Sequence, residues 1–172
     1  MVAPAEGLPT DKRELDLKTD FADVLAAGYT IHLWNTGGSV RVAEILRPGD
    51  QTGSHGTPKL GYGADGTAAK ALVRARDSYF KRISQGKDFM SEGDVFAADA
   101  GYSVGFRIDG TFLDGISARS EISFYPANGR IMAEIPENSL GYGGKAYGQG
   151  DDMQAALDDL ERTAKNLRTV RS

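Results

Sequence analysis

The sequence predicts an α+β fold in which one unit occurs twice, each copy a short helix, three antiparallel strands and a long helix. Two observations support this: short segments recur in the same order, and each series runs into a helical pattern. The recurring segments are residues 23–29 and 94–102, Ala43-Glu44-Ile45 and Ala133-Glu134-Ile135, and Leu60-Gly61-Tyr62-Gly63 and Leu140-Gly141-Tyr142-Gly143. We expect the two units to pack as a single pseudo-symmetric body, because a unit this small buries little core alone.

The first unit opens with a short helix that is capped by Thr19 or Asp20, with Gly28 just past its end. These residue types favour the two ends of a helix. The residues that follow are β-forming and alternate in polarity, which predicts a hairpin and then a third strand. A helix with apolar residues at helical spacing completes the unit. The predicted strands cover 29–34, 39–46 and about 58–62, and the helix covers 66–84.

The second unit follows the same plan, with strands predicted over 101–108, 116–125 and 130–135. Residues 143–150 are rich in glycine and predict a flexible lead into the last helix. That helix begins with Asp151 and Asp152, whose negative charges suit a helix N-terminus. The predicted domains are therefore a flexible leader (1–18), a first unit (19–86) and a second unit (87–172).

The composition is that of a soluble globular protein, with 40% hydrophobic and 26% charged residues and a net charge of −4. The absence of cysteine excludes disulfides and thiolate chemistry. With two histidines in unlike surroundings, we expect no metal site and no cofactor. The chain lacks an apolar run long enough to cross a membrane and begins without a signal-peptide pattern, so we expect a cytoplasmic protein.

The run of three strands, a glycine-containing turn and an alanine-rich helix resembles the HicB antitoxin family and the double-stranded-RNA-binding domain. The matching stretch is residues 61–72. In the RNA-binding family, lysines at the start of this helix hold phosphates. Here Lys70 matches that cluster, and Asp151 and Asp152 stand at the start of the second helix. The resemblance implies βββα topology, and a HicB-like role implies binding a protein or DNA without catalysis.

Two groups of residues are candidates for binding a partner. Lys70, Arg74 and Lys81, with Arg76 and Arg82, form a basic helix that could contact phosphates or be an ordinary solvated face. Strand alternation places His32 and Trp34 on the face opposite Ile31 and Leu33. An open aromatic and histidine surface suits a base or a protein partner, and Trp34 packed against the other unit is the alternative.

The repeated Gly-Tyr-Gly segments are candidate anion sites. Glycine allows close approach to a helix N-terminus, although a turn that needs glycine explains the same residues. The residues concerned are Gly61, Tyr62, Gly63, Gly141, Tyr142 and Gly143.

We expect a non-enzymatic binding protein whose partner is a protein or a nucleic acid, since no catalytic constellation is recognisable in the sequence. A small, duplicated, cysteine-free chain is also typical of phage or mobile-element accessory proteins. The sequence also allows pairing of two copies into a homodimer. The alternative is an anion or small-molecule binder, or an enzyme, that uses the glycine-rich turns, with His55 or Glu121 at the site.

Overall fold

The computed structural model describes residues 15–37, 40–48, 59–88, 112–113, 121–135 and 145–171. These residues form an α+β fold with a six-stranded antiparallel sheet and three helices. The elements in chain order are α1 (Ala22–Ala26), β1 (Thr30–Gly37), β2 (Val40–Leu46), β3 (Gly61–Asp65), α2 (Ala68–Ser84), β4 (Ile122–Ala127), β5 (Arg130–Ile135), β6 (Ala146–Gly150) and α3 (Met153–Arg171).

The sheet has the strand order β3-β2-β1-β4-β5-β6, so β1 and β4 meet at its centre. They pair antiparallel, with His32 opposite Ser123 and Leu33 opposite Ile122. On one side β1 pairs with β2 and β2 with β3. On the other side β4 pairs with β5 and β5 with β6. In chain order, β1 to β3 precede α2, and β4 to β6 precede α3.

The helices cover one face of the sheet, which we call the core face. Helix α2 packs on β3 and β2, and α3 packs on β6 and β5. Alternation along β1 and β4 sends every second side chain into this layer, where apolar burial favours folding. The buried sheet residues of the core include Ile31, Leu33, Ala43, Ile45, Ile122, Phe124, Ala133 and Ile135.

Glycines let both helices lie directly against the edge strands. A Cβ added at Gly63 would lie 2.5 Å from the backbone nitrogen of Ala75 in α2. A Cβ at Gly148 would lie 2.2 Å from the nitrogen of Leu160 in α3. Any side chain at either position would push the helix away from the strand. These glycines therefore serve helix–strand packing.

The helices and strands of the first unit occur where the sequence predicts them, except that β3 lies three residues further along the chain. The predicted cap of α1 by Thr19 or Asp20 is wrong, because Phe21 occupies the cap position and no side chain makes a capping bond there. In the second unit, the strand predicted over 130–135 is confirmed as β5. The prediction of a flexible lead over 143–150 is wrong for its last five residues, which form strand β6. The strand predicted over 101–108 falls outside the described residues.

None of the helices that the structure describes is long and apolar enough to span a membrane.

Candidate functional site

A row of polar and aromatic residues crosses the face of the sheet opposite the helices, which we call the second face. Each residue is the cross-strand partner of the next. From β3 to β6 the row reads Tyr62, Glu44, His32, Ser123, Glu134 and Tyr147. Tyrosine and glutamate thus occupy the same order on both sides of the central His32–Ser123 pair. The two sides differ in burial and in contacts.

On the β1–β2–β3 side, His32 is the centre of a buried ionic network. Its Nδ1 atom lies 3.4 Å from Glu44 Oε2, and its Nε2 atom lies 3.1 Å from Glu121 Oε2. The Lys59 ammonium lies 2.8 Å from Glu44 Oε1. His32, Glu44 and Lys59 are almost completely buried. A carboxylate in such a place needs partners to offset its lost hydration, and Glu44 has the Lys59 ammonium and a ring nitrogen of His32.

Trp34 closes this network from one side. Its indole stacks on the His32 imidazole with 4.9 Å between ring centroids and 20° between planes. It also packs against the buried pair Val42 and Tyr62. Both imidazole nitrogens therefore face carboxylates, and one face of the ring is covered by the indole.

The β4–β5–β6 side of the row is open. Tyr125, beside Ser123 on the same face, donates a hydrogen bond of 2.8 Å to Glu134 Oε1. Burial, followed by this bond and the Glu134 charge, raises the pKa of Tyr125 to about 12. Tyr147 is 42% exposed, whereas its counterpart Tyr62 is 6% exposed. The hydrogen bond holds the Tyr125 hydroxyl against the Glu134 carboxylate.

We use the name open face for six residues on this side, which are Glu121, Ser123, Tyr125, Met132, Glu134 and Tyr147. Tyr147 is exposed and the others are partly exposed. The carboxylates of Glu121 and Glu134 give the surface a negative character. The nearest cation along β5 is Arg130 at the far end of the strand, where it lies 3.7 Å from Asp151. The open face therefore combines aromatic rings with acidic groups.

A cleft of about 360 Å³ lies elsewhere, between α1, the β4–β5 turn and the start of α3. Its walls are mainly apolar, and Lys18, Arg130 and Asp151 lie at its border. Among the described residues, none of those predicted from sequence to bind a partner or an anion lines this cleft. Over the described ranges, no group of three histidine or acidic residues is arranged to hold a metal ion.

The basic helix predicted from sequence is largely engaged with the protein itself. Arg74 Nε lies 2.8 Å from Asp65 Oδ2. Arg76 is not on an exposed face, as the sequence pattern suggested, but is 1% exposed and paired with Asp20 at 2.7 Å.

Arg82 Nε donates to the carbonyl oxygen of Leu60. Lys70 and Lys81 are partly exposed, and neither forms an ion pair within the described part of the chain. They are the cations of this helix best placed to meet a partner.

The histidine and tryptophan predicted to form an open surface do lie together on the second face. His32, however, is 3% exposed, so the expectation of an open histidine is wrong. The physical reason is its ionic network, which holds it beneath Trp34 and between two carboxylates. The described contacts of Trp34 are with its own half of the sheet rather than with the other half.

Gly61, Tyr62 and Gly63 lie inside β3 rather than in a turn. The Tyr62 N–H already donates to Ser78 Oγ at 2.6 Å, and both glycines face α2. The structure thus gives these residues a packing role, and anion binding stays a prediction. The matching candidates Gly141, Tyr142 and Gly143 lie outside the described residues.

Sequence reasoning missed Glu44 as a partner of the histidine and Lys59 as a partner of Glu44. It also missed Tyr125 and Tyr147 as surface aromatics. Glu44 could have been found, because it follows Ala43 in a strand whose hairpin partner contains His32. Lys59 could not, because its approach depends on the path of the chain before β3.

Comparison of the chain with models of protein families, with curated proteins and with solved structures found no match.

Proposed function

We propose that this chain is a non-enzymatic binding protein that engages a partner protein through the open face. The observation that carries the proposal is the contrast between the halves of one residue row. Tyr62 and Glu44 are buried, whereas Tyr147 and Glu134 are accessible to a partner. Tyrosine is favoured at protein interfaces because it offers a large apolar surface with a polar end.

The charge of the open face favours a partner that presents lysine or arginine. Glu121 and Glu134 attract a cation, and the rings of Tyr125 and Tyr147 offer faces over which a cation can lie. The same carboxylates repel the phosphates of a nucleic acid. The net charge of −4 acts in the same direction at longer range.

A binding role also fits the chemistry of the buried histidine. Both nitrogens of His32 face carboxylates, and the Glu44 carboxylate is shared with Lys59. Groups engaged in this way hold three strands together rather than present a reactive atom. The HicB-like resemblance, which implies partner binding without catalysis, is compatible with this role.

We further infer that the two halves of the molecule are copies of one βββα unit. Support comes from equivalent contacts. Tyr62 lies opposite Glu44 and Tyr147 lies opposite Glu134. Gly63 and Gly148 each precede, by four residues, the residue that caps the following helix. The capping bonds are Thr67 Oγ1 with Lys70 N–H and Asp152 Oδ1 with Ala155 N–H.

These contacts also revise the repeat alignment. The segment that corresponds to Gly61-Tyr62-Gly63 is Ala146-Tyr147-Gly148 rather than Gly141-Tyr142-Gly143. In this alignment, the first copy carries the ionic network around His32 on its second face. The second copy has Ser123 at the position equivalent to His32, and its second face carries the open face.

Position-specific photo-cross-linking in the native host tests the proposed function. A photo-reactive phenylalanine analogue replaces Tyr147, or, as a control, Ile83, which is 51% exposed on α2. We expect a discrete cross-linked protein from position 147 that is absent from position 83. The added change Glu134→Gln is expected to lower its yield several-fold, because it removes a charge from the surface.

Equal capture of this protein at positions 83 and 147 would argue that the open face has no special role. Cross-linking of position 147 to nucleic acid would replace the proposed partner class with another.

A further inference from the structure

The outer edge of β6 is closed by a side chain of the helix that follows it. The Gln149 N–H points away from β5 and donates to Asp159 Oδ2 at 3.0 Å. Arg162 donates to the other oxygen, Oδ1, at 2.5 Å and holds the carboxylate in place. Edge strands normally leave such amides ready to pair with another strand. Here the amide already has an acceptor.

The sequence of β6 gives the strand little protection of its own. Its five residues, Ala-Tyr-Gly-Gln-Gly, include no charged residue and no proline, which are the usual means of blocking an edge. The blocking charge is supplied instead by Asp159, which is ten residues further along the chain. Gly148 and Gly150 make this possible, because they let α3 approach β6 closely.

The opposite edge of the sheet carries a similar bond. On β3, the Tyr62 N–H donates to Ser78 Oγ from α2. That hydroxyl is buried and also donates to the carbonyl oxygen of Ala75. The β6 bond differs because its acceptor is a charged group close to solvent, so it can be removed without opening the core.

We propose that β6 is a latent site for strand addition by a second copy of this chain, and that Asp159 keeps the site closed by occupying the Gln149 N–H. The second copy is the occupant that the strand fits best. Two β6 strands related by a two-fold axis would pair antiparallel, and the strands themselves contain no charged residue that would oppose the pairing. The Asp159 carboxylates do oppose it, because pairing would bring the carboxylate of one copy close to that of the other.

The pKa of Asp159 agrees with this role. The bond from the Gln149 N–H, and then the contacts with Arg162, lower it below the ordinary value of 3.8, although partial burial acts in the opposite direction. Because the pKa of Asp159 is lowered in the folded protein, the bond stabilises the fold at pH values above the ordinary pKa of 3.8. This stabilisation is lost as the pH falls through the lowered pKa of the folded protein. The edge therefore stays closed at neutral pH.

Asp159→Ala tests the proposal in the full chain. We expect amide exchange at Gln149, followed by NMR, to quicken by about tenfold or more, because a bond to a charged acceptor is lost. We also expect the variant to form a dimer as its concentration rises, measured by light scattering, while the parent protein stays monomeric. A well-folded Asp159→Ala chain that stays monomeric at the highest concentrations would overturn the proposal.

Three further variants separate edge opening from a general loss of charge. Asp158→Ala removes a neighbouring exposed acid whose described bond is to the Gln154 side chain, and it should stay monomeric. Asp159→Asn keeps an acceptor oxygen and should keep Gln149 protected. Gln149→Pro, added to Asp159→Ala, removes the donor and should restore the monomer. Dimerisation of the Asp158→Ala protein, or of the double variant, would contradict the role given to this bond.

Discussion

Tyr125 shows how one hydrogen bond links two side chains of the open face. Its hydroxyl donates to Glu134, and both groups belong to neighbouring strands of the same sheet. The hydrogen bond requires the protonated phenol, so ionisation of Tyr125 would place two negative charges side by side. Burial and the Glu134 charge both oppose that ionisation. The pair therefore behaves as one unit at all pH values at which the phenol stays protonated.

We predict that ionisation of Tyr125 destabilises the fold, and that this occurs only in strongly alkaline solution. Its pKa of about 12 in the folded protein lies above the ordinary tyrosine value of 10.0. Because the pKa is raised, the protonated Tyr125 contributes its full share to the stability of the fold below about pH 10, and this share is lost as the pH rises through about 12. Absorbance titration of tyrosinate should show a late-ionising group that disappears in Tyr125→Phe. An unchanged titration in that variant would show that the late-ionising group is another tyrosine.

For individual residues of the site, some features could be predicted from sequence and others could not. Strand alternation places His32 on the second face, because successive side chains point to opposite faces. Burial of His32 could not be predicted, since it depends on Glu121, 89 residues away in the chain. A contact at that separation leaves no local pattern.

At the scale of elements, β6 and α3 depend on each other. The strand has low β-propensity and would read as a loop, because Gly148 and Gly150 weaken it. Those glycines are present because α3 crosses directly over them. The strand could have been located from the four-residue spacing between a glycine and the residue that caps the next helix, which is the same for Gly63 and Gly148. The recurrence of the Leu-Gly-Tyr-Gly motif pointed to a different segment. The long helices themselves were predictable, since their apolar spacing is regular.

We predict that Gly63→Ala destabilises the fold by about 2–3 kcal/mol, because the added Cβ meets the backbone of α2 and forces the helix outward. The added carbon would lie 2.5 Å from both Ala75 N and Arg74 Cβ. Urea unfolding measures the change. Gly129→Ala is the control, because its φ of 77° is unfavourable for alanine but no atom lies within 4 Å. That variant should lose about 1 kcal/mol. Equal losses would mean that close packing at Gly63 is unimportant.

At the scale of the whole molecule, β1 and β4 join two three-stranded halves into one sheet. This junction avoids two exposed central edges and places the ionic network of His32 at the seam, where Glu121 approaches it from β4's side. The remaining edges, β3 and β6, are each met by a polar side chain of the adjacent helix. Within the described residues, each edge strand thus has a backbone amide that donates to a side chain of the adjacent helix.

The affinity of the partner protein captured at position 147 tests this account most directly. We predict that Tyr147→Ala raises the equilibrium dissociation constant by at least about tenfold, as loss of a central interface aromatic does. The double variant Lys70→Ala/Lys81→Ala, which changes the helix side of the molecule, should stay within about twofold of the parent protein. An unchanged affinity in Tyr147→Ala, together with lost binding in the lysine variant, would contradict the account and place the partner on α2.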